Sequence, residues 1–270
     1  MDRDFFIRLR SSVIVLGSAI LFFWFGGIPL FAVLAVVSLI GMFELYQAAS
    51  VWKTPLAAAG MMAGALFLEA VYLGWDAWLL FVLFLGFILI LGTFVFTFPR
   101  YQFSQTAAGV FGVLYVPVML SYLYRIRSMP DGFALIWLVF IASWGSDTLA
   151  YCAGRLFGRH KMTPQLSPKK TWEGAAGGVL GAALLGFLYA LAFGGHLKFL
   201  GDPLLATPLL CAAGSVVSQI GDLAASAIKR SVGVKDYGNL IPGHGGILDR
   251  FDSVIVTAPL VYYLLLLFMK

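Results

Sequence analysis

Long uninterrupted runs of hydrophobic residues, separated by short polar segments, make up most of the chain. The runs are continuous rather than alternating, which favours helices over the strands of a membrane barrel. A membrane-spanning helix needs about 20 mostly apolar residues. The pattern predicts an all-α, polytopic membrane helical bundle of about nine transmembrane helices, at residues 11–26, 28–46, 55–74, 77–98, 107–124, 133–157, 174–194, 203–229 and 252–269.

The composition agrees with a membrane protein. Hydrophobic residues make up 61% of the 270 and charged residues only 11%, whereas soluble domains contain about 45–50% apolar and about 25% charged residues. The two cysteines, Cys152 and Cys211, match no metal spacing and no disulfide framework. The first apolar run ends in Phe-Trp-Phe-Gly-Gly rather than at a small-residue cleavage site, so we expect it to remain as a first span.

The distribution of basic residues predicts the orientation. Lys and Arg are enriched in cytoplasmic segments of membrane proteins. With a cytoplasmic N-terminus, most of the 18 Lys and Arg fall on the cytoplasmic side. The exceptions on the opposite side are Arg125, Arg127, Lys198 and Lys270. We therefore expect a multi-pass protein of the cell membrane whose long loops face the cytoplasm.

Two connections are long, near residues 155–173 and 230–251, and long loops in compact helical proteins are often functional. Both follow residue 130. We therefore divide the predicted membrane unit into N-terminal spans at 1–130 and C-terminal spans at 131–270 that contain the site. Glycines four apart in the seventh span, such as Gly174 and Gly178, allow helices to approach closely. They indicate packing within the bundle or, alternatively, a homodimer interface.

Charged residues of both signs are concentrated in the second half of the chain. Carboxylates suit Mg²⁺, which often shares its ligands with phosphates, and Lys and Arg suit phosphate oxygens. The combination indicates phosphoryl or nucleotidyl transfer. The alternative is a solvated loop of mixed charge. The charged residues to which both interpretations apply are Asp147, Lys169, Lys170, Glu173, Asp222, Lys229, Arg230, Lys235, Asp236, Asp249, Arg250 and Asp252.

The spacing of these residues predicts shared helix faces. Asp222 and Lys229 are seven apart in the eighth span, so they lie on one stripe. Asp222 lies within an apolar run and needs compensation there, which favours a metal or phosphate role. Asp249 and Asp252 are three apart at the start of the ninth span, at the positive end of its helix dipole if they are helical. Glu69, inside the third span, needs a partner or belongs to a site.

The loop before the seventh span repeats the same chemistry. Ser167, Lys169 and Lys170 precede Thr171, a plausible N-cap, and helix N-termini bind phosphate readily. The alternative is a basic loop that touches anionic lipid headgroups.

Two segments resemble one family. The run from Ser226 to Asp252 includes Lys-Asp-Tyr-Gly-Asn-Leu-Ile-Pro-Gly-His-Gly-Gly-Ile-Leu-Asp-Arg-Phe-Asp and closely resembles the signature of phosphatidate cytidylyltransferases, the CDP-diacylglycerol synthases. The run Ser-Pro-Lys-Lys-Thr-Trp-Glu-Gly at 167–174, preceded by Gly-Ser-Asp at 145–147, is also similar to that family. The motifs cover about the last 120 residues, and the first 130 match only as span-forming sequence.

The resemblance implies a Mg²⁺-dependent reaction of CTP with phosphatidic acid in the bilayer, giving CDP-diacylglycerol and pyrophosphate, with no nucleic-acid partner. The hypothesis that follows gives one, or two, metal ions to Asp222 and Asp249, with Asp147 completing the site. Lys229 and Arg250 join the two aspartates as catalytic residues. The groups expected to bind substrate phosphates are Ser167, Lys169, Lys170, Arg230, Lys235 and His244.

Three other functions remain open at this point. A transporter or channel would use intramembrane carboxylates such as Asp222 and Glu69 as an ion path, but that leaves the two phosphate-friendly loops unexplained. A CDP-alcohol phosphotransferase would need a recurrent Asp-x-x-Asp-Gly pattern, which the sequence lacks. A non-catalytic scaffold would not need so many charged residues in its spans.

Overall fold

The computed structural model describes residues 17–240 and 245–269. Eight helical segments of this described part are long and apolar enough to cross a membrane, and they coincide with the last eight predicted spans. The first predicted span, 11–26, begins outside the described residues, and its residues 17–25 are helical (α1). The predicted all-α membrane bundle is confirmed.

The helices that follow α1 are α2 (Gly27–Ala48), α3 (Pro55–Tyr72), α4 (Leu79–Phe96), α5 (Phe103–Val113), α6 (Met119–Arg127), α7 (Gly132–Phe140), α8 (Ser146–Phe157), α9 (Trp172–Phe193), α10 (Pro203–Ser231) and α11 (Leu248–Phe268). A π-helical segment, Leu114–Val118, joins α5 to α6, and a second, Ile141–Gly145, joins α7 to α8. Short 3₁₀ turns lie at Asp76–Trp78 and Gly194–His196.

Local sequence explains several helix ends. Gly26 and Gly27 have φ of 61° and 49°, a left-handed conformation that glycine adopts without cost, so the chain breaks between α1 and α2. Thr54 caps α3 by accepting a hydrogen bond from the Ala57 N–H at 3.2 Å, and Pro55 occupies the first helical position, where its missing N–H is not needed. Pro117 lies in the first π-helical segment, where it removes one backbone donor.

The described residues fold into two compact units, and the first comprises residues 17–124, 232–240 and 245–250. In this unit α3 packs against α4 and α5, with α2 alongside. The fully buried Tyr46 donates a hydrogen bond to the Gly109 carbonyl at 2.7 Å. A Cβ at Gly60 or Gly112 would overlap the Tyr46 ring or hydroxyl. These glycines therefore make room for the largest side chain of this core.

The second unit comprises residues 125–231 and 251–270, and α9 packs in it against α8 and α10. A Cβ at Gly178 would lie 2.9 Å from the Cβ of Ala150, and one at Gly186 would lie 2.8 Å from the Thr207 carbonyl oxygen. The small residues of the seventh span therefore pack within the chain. The homodimer interface and the division at residue 130 stay predictions.

The long loop at 155–173 contains a hairpin that the sequence pattern does not predict. Strands β1 (Lys161–Thr163) and β2 (Ser167–Thr171) are antiparallel. Thr171 ends β2 and caps α9, because its hydroxyl accepts a hydrogen bond from the Gly174 N–H at 3.1 Å. The predicted N-cap is confirmed, with a strand rather than a loop before it.

Candidate active site

The hairpin positions two adjacent lysines differently. Successive side chains of a strand point to opposite faces. Lys169 in β2 is exposed, whereas Lys170 is half-buried. The Lys170 ammonium lies 2.5 Å from the Asp222 carboxylate on α10, and each side chain is less than a third exposed. The structure therefore pairs a predicted phosphate-binding residue with a predicted metal ligand.

Further charges surround this ion pair within the second unit. Asp252, in the first turns of α11, is buried, and its Oδ1 accepts the Ser253 N–H at 2.8 Å. The Asp252 carboxylate interacts electrostatically with the carboxylates of Asp222 and Asp147 and with the Lys229 ammonium. Asp252 thus lies within electrostatic reach of two further carboxylates and of Lys229, and one of these carboxylates, Asp222, is paired with Lys170. Four of these five residues have site roles predicted from the sequence, whereas Asp252 is among the charged residues named from the sequence without an assigned role.

Close approach of two helices supports this cluster. A Cβ at Gly221, the residue before Asp222, would lie 3.1 Å from the Asp252 carbonyl oxygen and would overlap a Val256 methyl group. Only a glycine lets the backbones of α10 and α11 come this close. The spacing keeps Asp222 and Asp252 near each other.

A second group of carboxylates lies in the first unit. Asp249, in the first turn of α11, is buried, and its Oδ2 accepts hydrogen bonds from the Tyr237 N–H at 2.8 Å and the Gly246 N–H at 3.0 Å. Glu44 of α2 accepts the Ile247 N–H at 3.0 Å and the Leu248 N–H at 2.8 Å. Both carboxylates therefore hold the backbone around the start of α11.

Comparison with known proteins decides the family. The model of the cytidylyltransferase family matches residues 6–268, nearly the whole chain. The chain belongs to the cytidylyltransferase family. Membership in this family does not favour the transporter or channel.

Several curated relatives are named phosphatidate cytidylyltransferase. The chain is 39% identical over 174 residues to such a protein from Bacillus subtilis (strain 168), which covers 64% of this chain and 61% of the relative. It is 41% identical over 167 residues to one from Staphylococcus epidermidis, covering 62% of each. It is 45% identical over 159 residues to one from Brucella abortus, covering 58% of this chain and 55% of the relative. The matches thus span about three fifths of the relatives' length.

The remaining predicted site residues differ in exposure. Ser167 and Arg250 are half-buried, whereas Lys169, Arg230 and Lys235 are exposed. His244 lies outside the described residues. The assignment of Arg250 to catalysis and of the other five residues to substrate phosphates stays a prediction.

Three acids outside the predicted site have positions that the structure defines. Glu173 accepts hydrogen bonds from the backbone N–H groups of Arg159 and His160 and contacts the His160 ring at 2.5 Å, so it fixes the chain before the hairpin. Glu44 is recognisable from the sequence only as an acid near the end of an apolar run. The Glu69 side chain is exposed. Glu69 lies in the last turn of α3, so it is nearer to the helix end than the predicted span of residues 55–74 indicates.

The carboxylates of the second unit suit a metal ion that is also bound by the phosphates of a substrate. Among residues 17–240 and 245–269, no group of three or more His, Cys, Asp or Glu side chains is arranged to hold an ion. Mg²⁺ is usually held by one or two carboxylates together with substrate phosphates and water. Asp222, with Asp252 within electrostatic reach of it, supplies carboxylate oxygens of the kind that this mode uses.

Proposed function

We propose that this chain is a CTP:phosphatidate cytidylyltransferase, which transfers CMP from CTP to phosphatidic acid and releases pyrophosphate. The observation that supports this most directly is the ion pair of Lys170 with Asp222, together with the electrostatic interaction of Asp252 with Asp222, Asp147 and Lys229. Oxygen ligands for a divalent metal and ammonium groups for phosphates in one cluster suit nucleotidyl transfer. Family membership and the names of the relatives support the same reaction.

The reaction needs little covalent chemistry from the protein. The phosphate oxygen of phosphatidic acid, already an anion at neutral pH, attacks the α-phosphorus of CTP in line. A new P–O bond forms, the bond between the α-phosphorus and the bridging oxygen breaks, and its electrons leave with pyrophosphate. No general base is required. Catalysis therefore rests on positioning and on neutralising the phosphate charge.

Lys170 and Lys229 are the residues that we assign to charge neutralisation in the second unit. An ammonium group binds phosphate oxygens as a compact point charge. Lys170 contacts Asp222, so we infer that a CTP phosphate bound by Lys170 would compete with this contact. Asp222 then becomes available as a ligand.

Mg²⁺, when bound, would neutralise charge on the CTP phosphates and orient them. Asp222 would hold it, with Asp147 beside it, and Asp249 keeps the metal-binding role that the resemblance implies. Arg250 keeps its proposed catalytic role. The proposed phosphate-binding roles are kept by Ser167, Lys169, Arg230, Lys235 and His244. The distribution of Lys and Arg supports a site that faces the cytoplasm from a multi-pass protein in the cell membrane.

The test is incorporation of label by the purified protein in detergent. With phosphatidic acid, Mg²⁺ and CTP labelled at the α-phosphorus, we expect label in the lipid fraction. CTP labelled at the γ-phosphorus should instead give labelled pyrophosphate. EDTA, or omission of phosphatidic acid, should abolish both signals. A folded protein that gives no labelled lipid would refute the proposal.

A further inference from the structure

Glu44 is a buried acid in a membrane-spanning helix whose two oxygens are both occupied by backbone donors. It lies one turn before the end of α2 and is 1% exposed. Oε1 accepts from the Ile247 N–H and Oε2 from the Leu248 N–H, more than 200 residues away in the chain. An acid buried in this way needs a reason, because burial without partners is costly.

The position of these bonds on α11 gives the reason. The helix begins at Leu248, and the first N–H groups of a helix have no partners within it. A carboxylate is favoured there by the helix dipole as well as by hydrogen bonding. Glu44 thus caps α11 from a distant helix of the same unit.

The backbone around Glu44 is shaped to admit the carboxylate. A Cβ at Gly238 would lie 2.5 Å from Oε1 of Glu44, and a Cβ at Gly246 would lie 2.5 Å from both oxygens. A side chain at either position would therefore displace the carboxylate. Gly238 and Gly246, which lie on either side of residues 241–244, therefore both pack against Glu44.

The residue that follows this cap is Asp249. Its carboxylate accepts from the Gly246 N–H, and Glu44 accepts from the next two N–H groups, so consecutive amides are divided between the two acids. The two carboxylates also interact electrostatically. Because Glu44 fixes the backbone at residues 247 and 248, it fixes where the Asp249 side chain starts.

We propose that Glu44 is a positioning residue that anchors the start of α11 and thereby sets the location of the Asp249 carboxylate for metal binding. The part that concerns the metal rests on the proposed function. Each Glu44 oxygen accepts one backbone amide hydrogen near the start of α11, so we assign Glu44 a role through Asp249 rather than one as a ligand. Loss of Glu44 should therefore weaken metal use without changing the interaction with the lipid substrate.

The variants are Glu44→Ala, Glu44→Gln and the matched control Glu69→Gln. Alanine removes both acceptors, whereas glutamine keeps one carbonyl oxygen and turns an NH₂ group toward the other amide. Glu69 is also an acid in a membrane-spanning helix of the first unit, but its side chain is exposed, whereas that of Glu44 is buried. Each protein is purified in detergent, and its folded yield is checked by size-exclusion chromatography.

The first readout is the dependence of lipid labelling on Mg²⁺ concentration. We expect the half-saturating Mg²⁺ concentration to rise about tenfold in Glu44→Ala and about threefold in Glu44→Gln. The half-saturating phosphatidic acid concentration should change less than about twofold, and Glu69→Gln should match the wild type. Reduced activity with an unchanged Mg²⁺ dependence would mean a general structural role and would overturn the positioning assignment.

The second readout needs no activity. Hydrogen–deuterium exchange of a peptide covering residues 245–250 should be about tenfold faster in Glu44→Ala than in the wild type, because two amides lose their acceptor. Unchanged exchange would overturn the anchor. If the wild type itself transfers no CMP, the proposed function fails, and the exchange experiment still decides whether Glu44 holds this segment.

Discussion

Lys170 Nζ lies 2.5 Å from Asp222 Oδ2, so strand β2 and helix α10 are joined by an ion pair between two predicted site residues. Each charged group is the ion-pair partner of the other. A divalent metal bound at Asp222 and a phosphate bound at Lys170 would each take the place of one partner in this ion pair. The pair thus brings together one positive and one negative group of the candidate site.

Replacing Lys170 should reduce activity strongly. Lys170→Met keeps much of the apolar stem and removes the charge, so phosphate charge in the transition state loses a donor. We expect kcat/KM for CTP to fall about 100-fold, the scale for losing one preorganised donor. The measurement is the initial rate of lipid labelling at several CTP concentrations.

The hairpin supplies a matched control. Lys161 in β1 is exposed and has no assigned role, so Lys161→Met should retain activity within about twofold. Equal losses in the two variants would indicate that the hairpin as a whole, rather than the ion pair, matters.

Asp222 and Lys170 should behave as one unit. Asp222→Asn preserves shape and removes the charge, and we expect a loss of about 100-fold or more in kcat/KM. Because each single change already disrupts the pair, the double variant Asp222→Asn with Lys170→Met should lose much less than the product of the two single losses. Kinetics of all four proteins complete the cycle. Strictly multiplicative losses would contradict the coupling.

Asp249 offers a way to separate charge from hydrogen bonding. The Tyr237 and Gly246 N–H groups both donate to Oδ2 of Asp249. The amide oxygen of Asn can occupy that position, so Asp249→Asn should keep both bonds and lose only the charge. We expect Asp249→Asn to abolish turnover with little change in the melting temperature, measured by a thermal-shift assay in detergent.

Asp249→Ala should also abolish turnover, but it leaves two buried N–H groups without their acceptor. We expect a cost of about 1–3 kcal/mol in the free energy of unfolding and a lower melting temperature than that of Asp249→Asn. Appreciable activity in either variant would contradict the metal role of Asp249.

The contacts of α11 show where sequence reasoning stops. Hydropathy predicts a span from residue 252, but the helix begins at Leu248, where the Glu44 carboxylate of α2 accepts the N–H groups of Ile247 and Leu248. Asp249 is recognisable from its chemistry and its motif. Glu44 is not, since its partners are more than 200 residues away and no local pattern indicates them.

The hairpin at 161–171 illustrates another limit. Span-length apolar runs predict helices well because the bilayer demands internal hydrogen bonding. Short polar segments have no such constraint, and Ser-Pro-Lys-Lys-Thr has no strand periodicity. The chemistry of Lys170 is predictable from its charge. That Lys170 rather than Lys169 pairs with Asp222 is not predictable from the sequence, because it depends on which face of β2 points toward Asp222.

Helix packing in the second unit gives a final prediction, at Gly186. A Cβ there would lie 2.8 Å from the Thr207 carbonyl oxygen and 2.9 Å from Cys211 Sγ, and the Thr207 hydroxyl donates to the Gly186 carbonyl at 2.8 Å. Gly186→Ala must push α9 from α10, at a cost of about 1–3 kcal/mol, and should lower the melting temperature by several degrees. At Gly92 of α4, no atom of the described residues outside the adjoining turns of that helix lies within 4 Å of the position that an alanine methyl group would take, so Gly92→Ala should leave the melting temperature unchanged. Equal melting temperatures for the two variants would contradict the close approach of α9 and α10.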